Sequence, residues 1–153
     1  MRKRGTIVLK FLEEEQIDPQ VINGIKEFRK AYAPETEAAK TPRYFYYGRN
    51  VWEQAAQALL AGENLLLAGA KATGKNVLAE NLAAAFGRPV YNVSLHINAD
   101  AASMLGTDTF KNGEVTFRPG PVSEAAAGGG FCVLDEINMA RNEALAVLHS
   151  VLD

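Results

Sequence analysis

The stretch Gly69-Ala70-Lys71-Ala72-Thr73-Gly74-Lys75-Asn76 sets two glycines and a lysine at the spacing G-x-x-x-x-G-K. That is the spacing of a loop that wraps phosphate. Phosphate oxygens are met by consecutive backbone N–H groups, and glycine lets the chain approach without a Cβ in the way. A helix beginning at Lys75 adds unpaired N–H donors and the positive end of its dipole. Lys75 itself brings an ammonium to the β- and γ-phosphates. Asn76 departs from the pattern, since a Ser or Thr hydroxyl normally stands there as a ligand to Mg²⁺. Its amide oxygen also suits a hard cation, but on a longer side chain that lacks the hydroxyl donor.

A second constellation is Phe131-Cys132-Val133-Leu134-Asp135-Glu136, four apolar residues followed by two carboxylates. A buried strand ending in Asp delivers that carboxylate to the carboxyl edge of a sheet, where open α/β folds bind ligands. Asp135 is placed there to hold Mg²⁺, largely through its waters, and Glu136 to polarise an attacking water. On its own an apolar run ending in Asp-Glu is a weak signal. Downstream of the Gly-rich loop in the same domain it becomes a specific one.

With both motifs on the page, the chain resembles the AAA+ ATPases, and within them the MoxR and dynein-related branch. Phe117-Arg118-Pro119-Gly120-Pro121-Val122 and Leu134-Asp135-Glu136-Ile137-Asn138-Met139-Ala140 carry the likeness beyond the two motifs, over about Tyr44 to Asp153. The resemblance implies ATP and Mg²⁺ as cofactors. It implies Lys75 on phosphate, Asp135 as the Mg²⁺ carboxylate and Glu136 as the catalytic base. It further implies a homo-oligomeric ring, a hexamer, that remodels or helps assemble a protein client, with a von Willebrand A-type partner among the candidates. In such proteins a polar residue at the end of the second strand restrains the catalytic Glu, and Asn92 is the candidate here. The hairpin around Thr107 to Arg118 corresponds to an insert that this branch carries near the ring's pore. The family's module runs on past this chain, so its sensor strand, arginine finger and helical lid fall outside it. The chain is therefore expected to be a piece of a longer protein, weakly active alone.

The elements that must position these groups follow from periodicity. Gly5 to Leu12 reads as a short strand, Glu13-Glu14-Glu15-Gln16 as a solvated turn, and Asp18-Pro19 as a helix start. Val21, Ile22, Ile25, Phe28 and Tyr32 form the apolar stripe of that helix. Pro34 to Pro42 reads as a linker, making residues 1–40 a small helical appendage and residues 44–153 the nucleotide-binding core. Tyr44-Phe45-Tyr46-Tyr47-Gly48 is either a loop packed on the domain edge or part of a base pocket, with Tyr47 and Gly48 as contacts. Asn50 is expected to cap a helix reaching Leu60. Leu65-Leu66-Leu67-Ala68 reads as a parallel strand buried on both faces. The sequence then predicts a helix from Lys75 to Phe86, a strand from Pro89 to Leu95 and a short helix from Ala99 to Leu105. A hairpin turning at Lys111–Glu114, a helical segment at Ser123–Ala127, a strand at Phe131–Asp135 and a final helix from about Arg141 complete the reading. Alternating strand and helix predicts an α/β fold, a P-loop NTPase sandwich with a truncated parallel sheet.

Truncation has a physical consequence. With the sensor strand absent, the Leu65–Ala68 strand must pair with the Asp135 strand, leave a gap, or borrow a strand such as Gly5–Phe11. Each buried unpaired backbone group costs about 1–3 kcal/mol.

Composition narrows the field. At 153 residues, 48% hydrophobic and 22% charged, the chain has one ordinary domain's worth of globular sequence. A net charge of −2 gives no footprint for nucleic acid or an anionic membrane. No segment reaches the length of a spanning helix, and the basic start is not followed by a signal-like apolar run, so a cytoplasmic protein is expected. The single cysteine, Cys132, excludes an internal disulfide and reads as a buried small hydrophobe. His96 and His149 lack companion ligands, Arg141 reads as an exposed helix start, and Leu145, Leu148 and Leu152 read as core. Two further readings stay open, a small-molecule kinase and a module that binds nucleotide only as a clamp. No acceptor-binding Asp or Arg cluster follows the second strand, which weighs against the kinase, whereas Asn76 suits the clamp.

Overall fold

In the computed structural model, which describes residues 4–32, 40–111 and 113–152, the chain divides into two units, Met1–Pro89 and Val90–Asp153. Among its described residues the first holds four helices, α1 (Arg4–Glu14), α2 (Pro19–Ala31), α3 (Arg49–Leu60) and α4 (Lys75–Phe86). The expected strand at Gly5–Leu12 is instead helix α1. Val8, Phe11 and Leu12 recur at helical spacing and are all buried, which a two-residue period cannot achieve. The idea of Gly5–Phe11 as a borrowed strand falls with it. Glu13 and Glu14 close this helix rather than forming a turn, and Glu13 pairs with Lys26 of α2 at 3.0 Å.

Helix α2 begins as its sequence dictates. Asp18 accepts from the Gln20 N–H at 2.7 Å and Pro19 occupies the first turn, and the stripe buries Val21, Ile22 and Ile25. Both α1 and α2 pack on α4, and α2 also packs on α3. Residues 33–39 of the expected linker lie outside the described residues. Helix α3 starts two residues earlier than expected. Gly48 is its N-cap, with no side-chain capping bond, and the Gly48 carbonyl accepts from Trp52 N at 3.0 Å; Asn50 already lies within the helix.

Leu65–Ala68 is the other correction. Among the described residues this segment belongs to no sheet, and Leu66 is 80% exposed. A parallel strand exists only where a neighbour completes its ladder. The described sheets supply none, and the segment runs as irregular, partly exposed chain.

In the second unit β1 (Val90–Ser94) pairs in parallel with β4 (Phe131–Asp135), from Val90 opposite Phe131 to Ser94 opposite Asp135. Between them come α5 (Ala101–Leu105), the antiparallel pair β2 (Gly106–Lys111) and β3 (Glu114–Pro119), and α6 (Pro121–Gly128). Helix α7 (Asn142–Leu152) closes the chain. Asp100 starts α5 through a reciprocal capping box with Ser103. Val93, Leu95, Met104, Val122, Ala144 and Leu148 form the unit's buried cluster, with Leu145 packed at its margin; the Leu152 side chain lies outside the described residues. Cys132 corrects another expectation, since it is exposed. Among the described residues β4 is paired on one side only, with β1. Partial burial of the thiol still pushes its pKa up. His96 and His149 are both exposed. The fold class is α/β with a parallel strand pair, as the sequence predicts. No helix among the described residues is long and apolar enough to cross a membrane.

Candidate functional site

Residues Gly69–Gly74 form a run of turns that ends where α4 begins. Gly74 caps the helix at φ 84°, the left-handed region that glycine enters at little cost. Ala72 also has a positive φ, 63°, and carries the strain that a Cβ brings there. Thr73 Oγ1 donates to the Ala70 carbonyl at 2.9 Å, which closes the turn from inside. Lys75 Nζ donates to the carbonyls of Gly69 at 3.0 Å and Ala70 at 2.8 Å. The ammonium thus lies across the mouth of the loop. Lys71 and Asn76 are exposed beside it.

The aromatic segment belongs to the same unit, and two buried side chains hold it. Asn81 of α4 is wholly buried. Its Nδ2 donates to the Tyr44 carbonyl at 2.8 Å and to the Val77 carbonyl at 2.7 Å. Its Oδ1 accepts from the Tyr46 N–H at 3.4 Å. Trp52 Nε1 donates to the Tyr46 carbonyl at 2.8 Å. The Tyr46 ring lies against the phosphate loop, where a Cβ on Gly74 would sit 3.4 Å from its Cε2. Phe11 of α1 stacks on Phe45 with centroids 4.4 Å apart and meets the Tyr47 ring edge-on at 5.2 Å. Tyr47 remains 69% exposed beside the partly buried Gly48.

In the second unit Asp135 ends β4 half-buried. Its carbonyl accepts from Leu95 N at 2.9 Å, and its Oδ1 accepts from Glu136 N at 2.9 Å. Glu136 is exposed, with φ 55° in the left-handed region. A 3₁₀ turn over Ile137–Met139 follows, and the Glu136 carbonyl accepts from Met139 N at 2.8 Å. Asn92 lies in mid-strand opposite Val133, one pair back from Asp135 on the same face. Ser94 is the polar residue that the register sets opposite Asp135. Arg141 is exposed immediately before α7, and its carbonyl accepts the first helical bonds from Ala144 and Leu145.

Among the described residues no three His, Cys, Asp or Glu gather as a metal cage. Asp135 in the second unit offers a carboxylate oxygen and Asn76 in the first an amide oxygen. One carboxylate with few other protein ligands is the set Mg²⁺ takes when waters and phosphate oxygens complete its shell. The donor chemistry fits that ion.

Three residues of consequence escaped the reading of the sequence, Asn81, Trp52 and Ser94. Asn81 had a signal. It stands three residues after Leu78 and one before Leu82, a polar residue at the apolar-face spacing of a helix whose other polar residues fall elsewhere.

Residues 64–153 match the AAA domain, dynein-related subfamily. The chain is 42% identical over 100 residues to the uncharacterized protein YojN of Bacillus subtilis, a match covering 63% of this chain and 33% of that protein. It is 37% identical over 116 residues to an uncharacterized protein of Staphylococcus haemolyticus, covering 72% of this chain and 44% of that one. It is also 37% identical over 89 residues to Protein NorQ of Paracoccus denitrificans, covering 58% of this chain and 33% of NorQ. The chain thus spans less than half the length of each of these relatives.

Proposed function

Because this chain belongs to the AAA domain family, in its dynein-related subfamily, we propose that it is the nucleotide-binding part of a MoxR-like ATPase. The observation that carries the proposal is the phosphate loop. A glycine-capped helix N-terminus and the Lys75 ammonium meet at one turn, which is what a triphosphate requires. Backbone N–H groups from Gly69 to Asn76 cradle the phosphates, with Ala70, Lys71, Ala72 and Thr73 in the wrap. Lys75 leaves the Gly69 and Ala70 carbonyls for phosphate oxygens. Tyr47 and Gly48 flank the base.

Asn76 and Asp135 are the residues that would hold Mg²⁺, which supplies charge neutralisation to the phosphates when bound. Glu136 takes the proton of the attacking water, and the backbone bond from Glu136 N to Asp135 Oδ1 holds the two carboxylate residues in a fixed relation at the strand end. Asn92 restrains Glu136 in this reading. The longer protein acts as a homo-oligomeric ring, a hexamer, in the cytoplasm. There it remodels or assembles a protein client, with a von Willebrand A-type partner among the candidates. Turnover needs an arginine from an adjacent subunit, so the chain alone binds ATP but hydrolyses it slowly.

Calorimetry with Mg-ATP tests this. Micromolar binding to the chain, lost in Lys75→Ala, supports the reading; failure to bind by a chain that shows a cooperative heat-unfolding transition overturns it. The clamp reading, which the Asn76 departure favours, predicts equal ATP and ADP affinity and no turnover even in the longer protein.

A further inference from the structure

Helix α4 carries one residue that its packing does not explain. Leu78, Ala79, Leu82, Ala83, Ala84, Ala85 and Phe86 are buried apolar side chains, and Asn81 among them is a carboxamide with no exposed surface. A polar group is carried into such a place at a cost unless its hydrogen bonds are met. Here three of the four an Asn can make are met, and only one of them, to the Val77 carbonyl, stays within the helix. The other two leave it and bind the main chain of one irregular segment, at the Tyr44 carbonyl and the Tyr46 N–H. A segment with no ladder or helix of its own must find partners for its backbone elsewhere. Asn81 and Trp52 are those partners, and both converge on Tyr46.

Asn81 stands six residues after Lys75, on the helix whose first turn lies at the phosphates. The Tyr46 ring rests on Gly74 at the end of the same loop. One rigid helix therefore fixes the phosphate end of the site at its start and the aromatic segment further along.

We infer that Asn81 is a positioning residue for nucleotide selection, holding Tyr44–Gly48 at the distance from the phosphate loop that lets one ligand's base and phosphates be met together. Trp52 is its second anchor. This rests on the nucleotide reading of the loop and the aromatic segment. Asn81 touches no ligand; its effect passes through the Tyr44 and Tyr46 main chain. A residue that only stabilised the fold would weaken every ligand alike. One that positions the base side alone changes the preference for a nucleoside triphosphate over bare tripolyphosphate.

The test is calorimetric titration of the chain, of Asn81→Leu and of Trp52→Phe with ATP and with tripolyphosphate, with heat unfolding of each sample. The expected result is at least a tenfold loss of ATP affinity in both variants, while tripolyphosphate affinity stays within twofold. Equal losses for both ligands, or no loss for either, overturn the inference. If Asn81→Leu does not fold, Trp52→Phe decides alone, since it removes one anchor of Tyr46 and keeps an aromatic ring. An unaltered chain that binds ATP no better than tripolyphosphate overturns the base-pocket reading and the inference with it. An unaltered chain that binds neither overturns the phosphate-loop reading first.

Discussion

Lys75 closes the phosphate loop on itself, its Nζ donating to the Ala70 carbonyl at 2.8 Å. The ammonium is thus held by neutral protein oxygens, which in the proposed nucleotide complex it leaves for phosphate oxygens. Exchanging a neutral carbonyl for a charged phosphate strengthens its bonds, because charge-assisted hydrogen bonds are roughly twice as strong as neutral ones.

Lys75→Met removes that charge and both carbonyl bonds. ATP should then raise the unfolding temperature little or not at all, whereas the unaltered chain gains about 2.7 kcal/mol of stability at a hundredfold excess over Kd. A thermal shift titration reads this directly. An unchanged shift would show that the lysine takes no part in binding.

Glu136→Gln keeps the size of the side chain and the bond from its N–H to Asp135 Oδ1, and removes only the proposed base. Nucleotide affinity should stay within a few fold. Hydrolysis by the longer protein should fall about 10²–10⁴-fold, the range a general base contributes. Phosphate release under saturating ATP is the measurement, and undiminished release would place the base elsewhere.

Phe11→Ala opens a cavity where α1 meets the aromatic segment and deletes the stack on Phe45. The expected loss is about 3–5 kcal/mol, a large share of an ordinary domain's stability. By contrast Phe110, 76% exposed on β2, should tolerate Phe110→Ser within about 0.5 kcal/mol. Urea unfolding of the two variants side by side distinguishes them.

Acid should weaken the first unit through Glu53. Hydrogen bonds from Arg49 Nε at 2.8 Å and from Asp18 N at 2.9 Å hold its pKa below the ordinary carboxylate value. A carboxylate with a depressed native pKa adds stability that is complete above its unfolded value, about 4.3 for Glu. That stability is lost as pH falls through the native value. Glu53→Gln should therefore lower stability at neutral pH and flatten its decline in acid. Asp100, held low by the Ser103 N–H and hydroxyl, has the same sign in the second unit, so Asp100→Asn should act likewise. Urea midpoints between pH 6 and pH 2 would show both effects.

The parts of the structure that local chemistry determines were legible in the sequence. The Asp18-Pro19 start of α2, the Lys75–Phe86 helix closed at Gly87, the β4 strand ending at Asp135 and the β2–β3 hairpin each carry their own signal. The parts decided by a partner were not. Four leucine-rich residues at 65–68 look like a strand to any rule based on composition, yet a ladder is made by two segments, and here the second is missing from the described sheets. Cys132 failed in a related way, since an apolar strand run does not say what packs over each of its positions, and this one is left exposed. Gly5–Leu12 failed differently, because a short run mixing Val, Ile and Leu suits either period until burial selects one. The roles of Asn81 and Trp52 were not legible, because what they bind is the backbone of a segment some thirty-five residues before the first and six before the second; only the placing of Asn81 among apolar residues marked it.

Ala72 and Glu136 share an awkward backbone, with φ values of 63° and 55°. Left-handed geometry costs an L-residue about 1–2 kcal/mol, so glycine at either position should make the chain more heat-resistant. The two gains would be unlike in kind. Ala72→Gly leaves every functional group in place, whereas Glu136→Gly discards a carboxylate along with its strain. A directed-evolution campaign scored on melting temperature alone would favour both changes equally, and so would breed a sturdier protein that had lost its proposed base. Screens on this chain therefore need a turnover readout beside the thermal one.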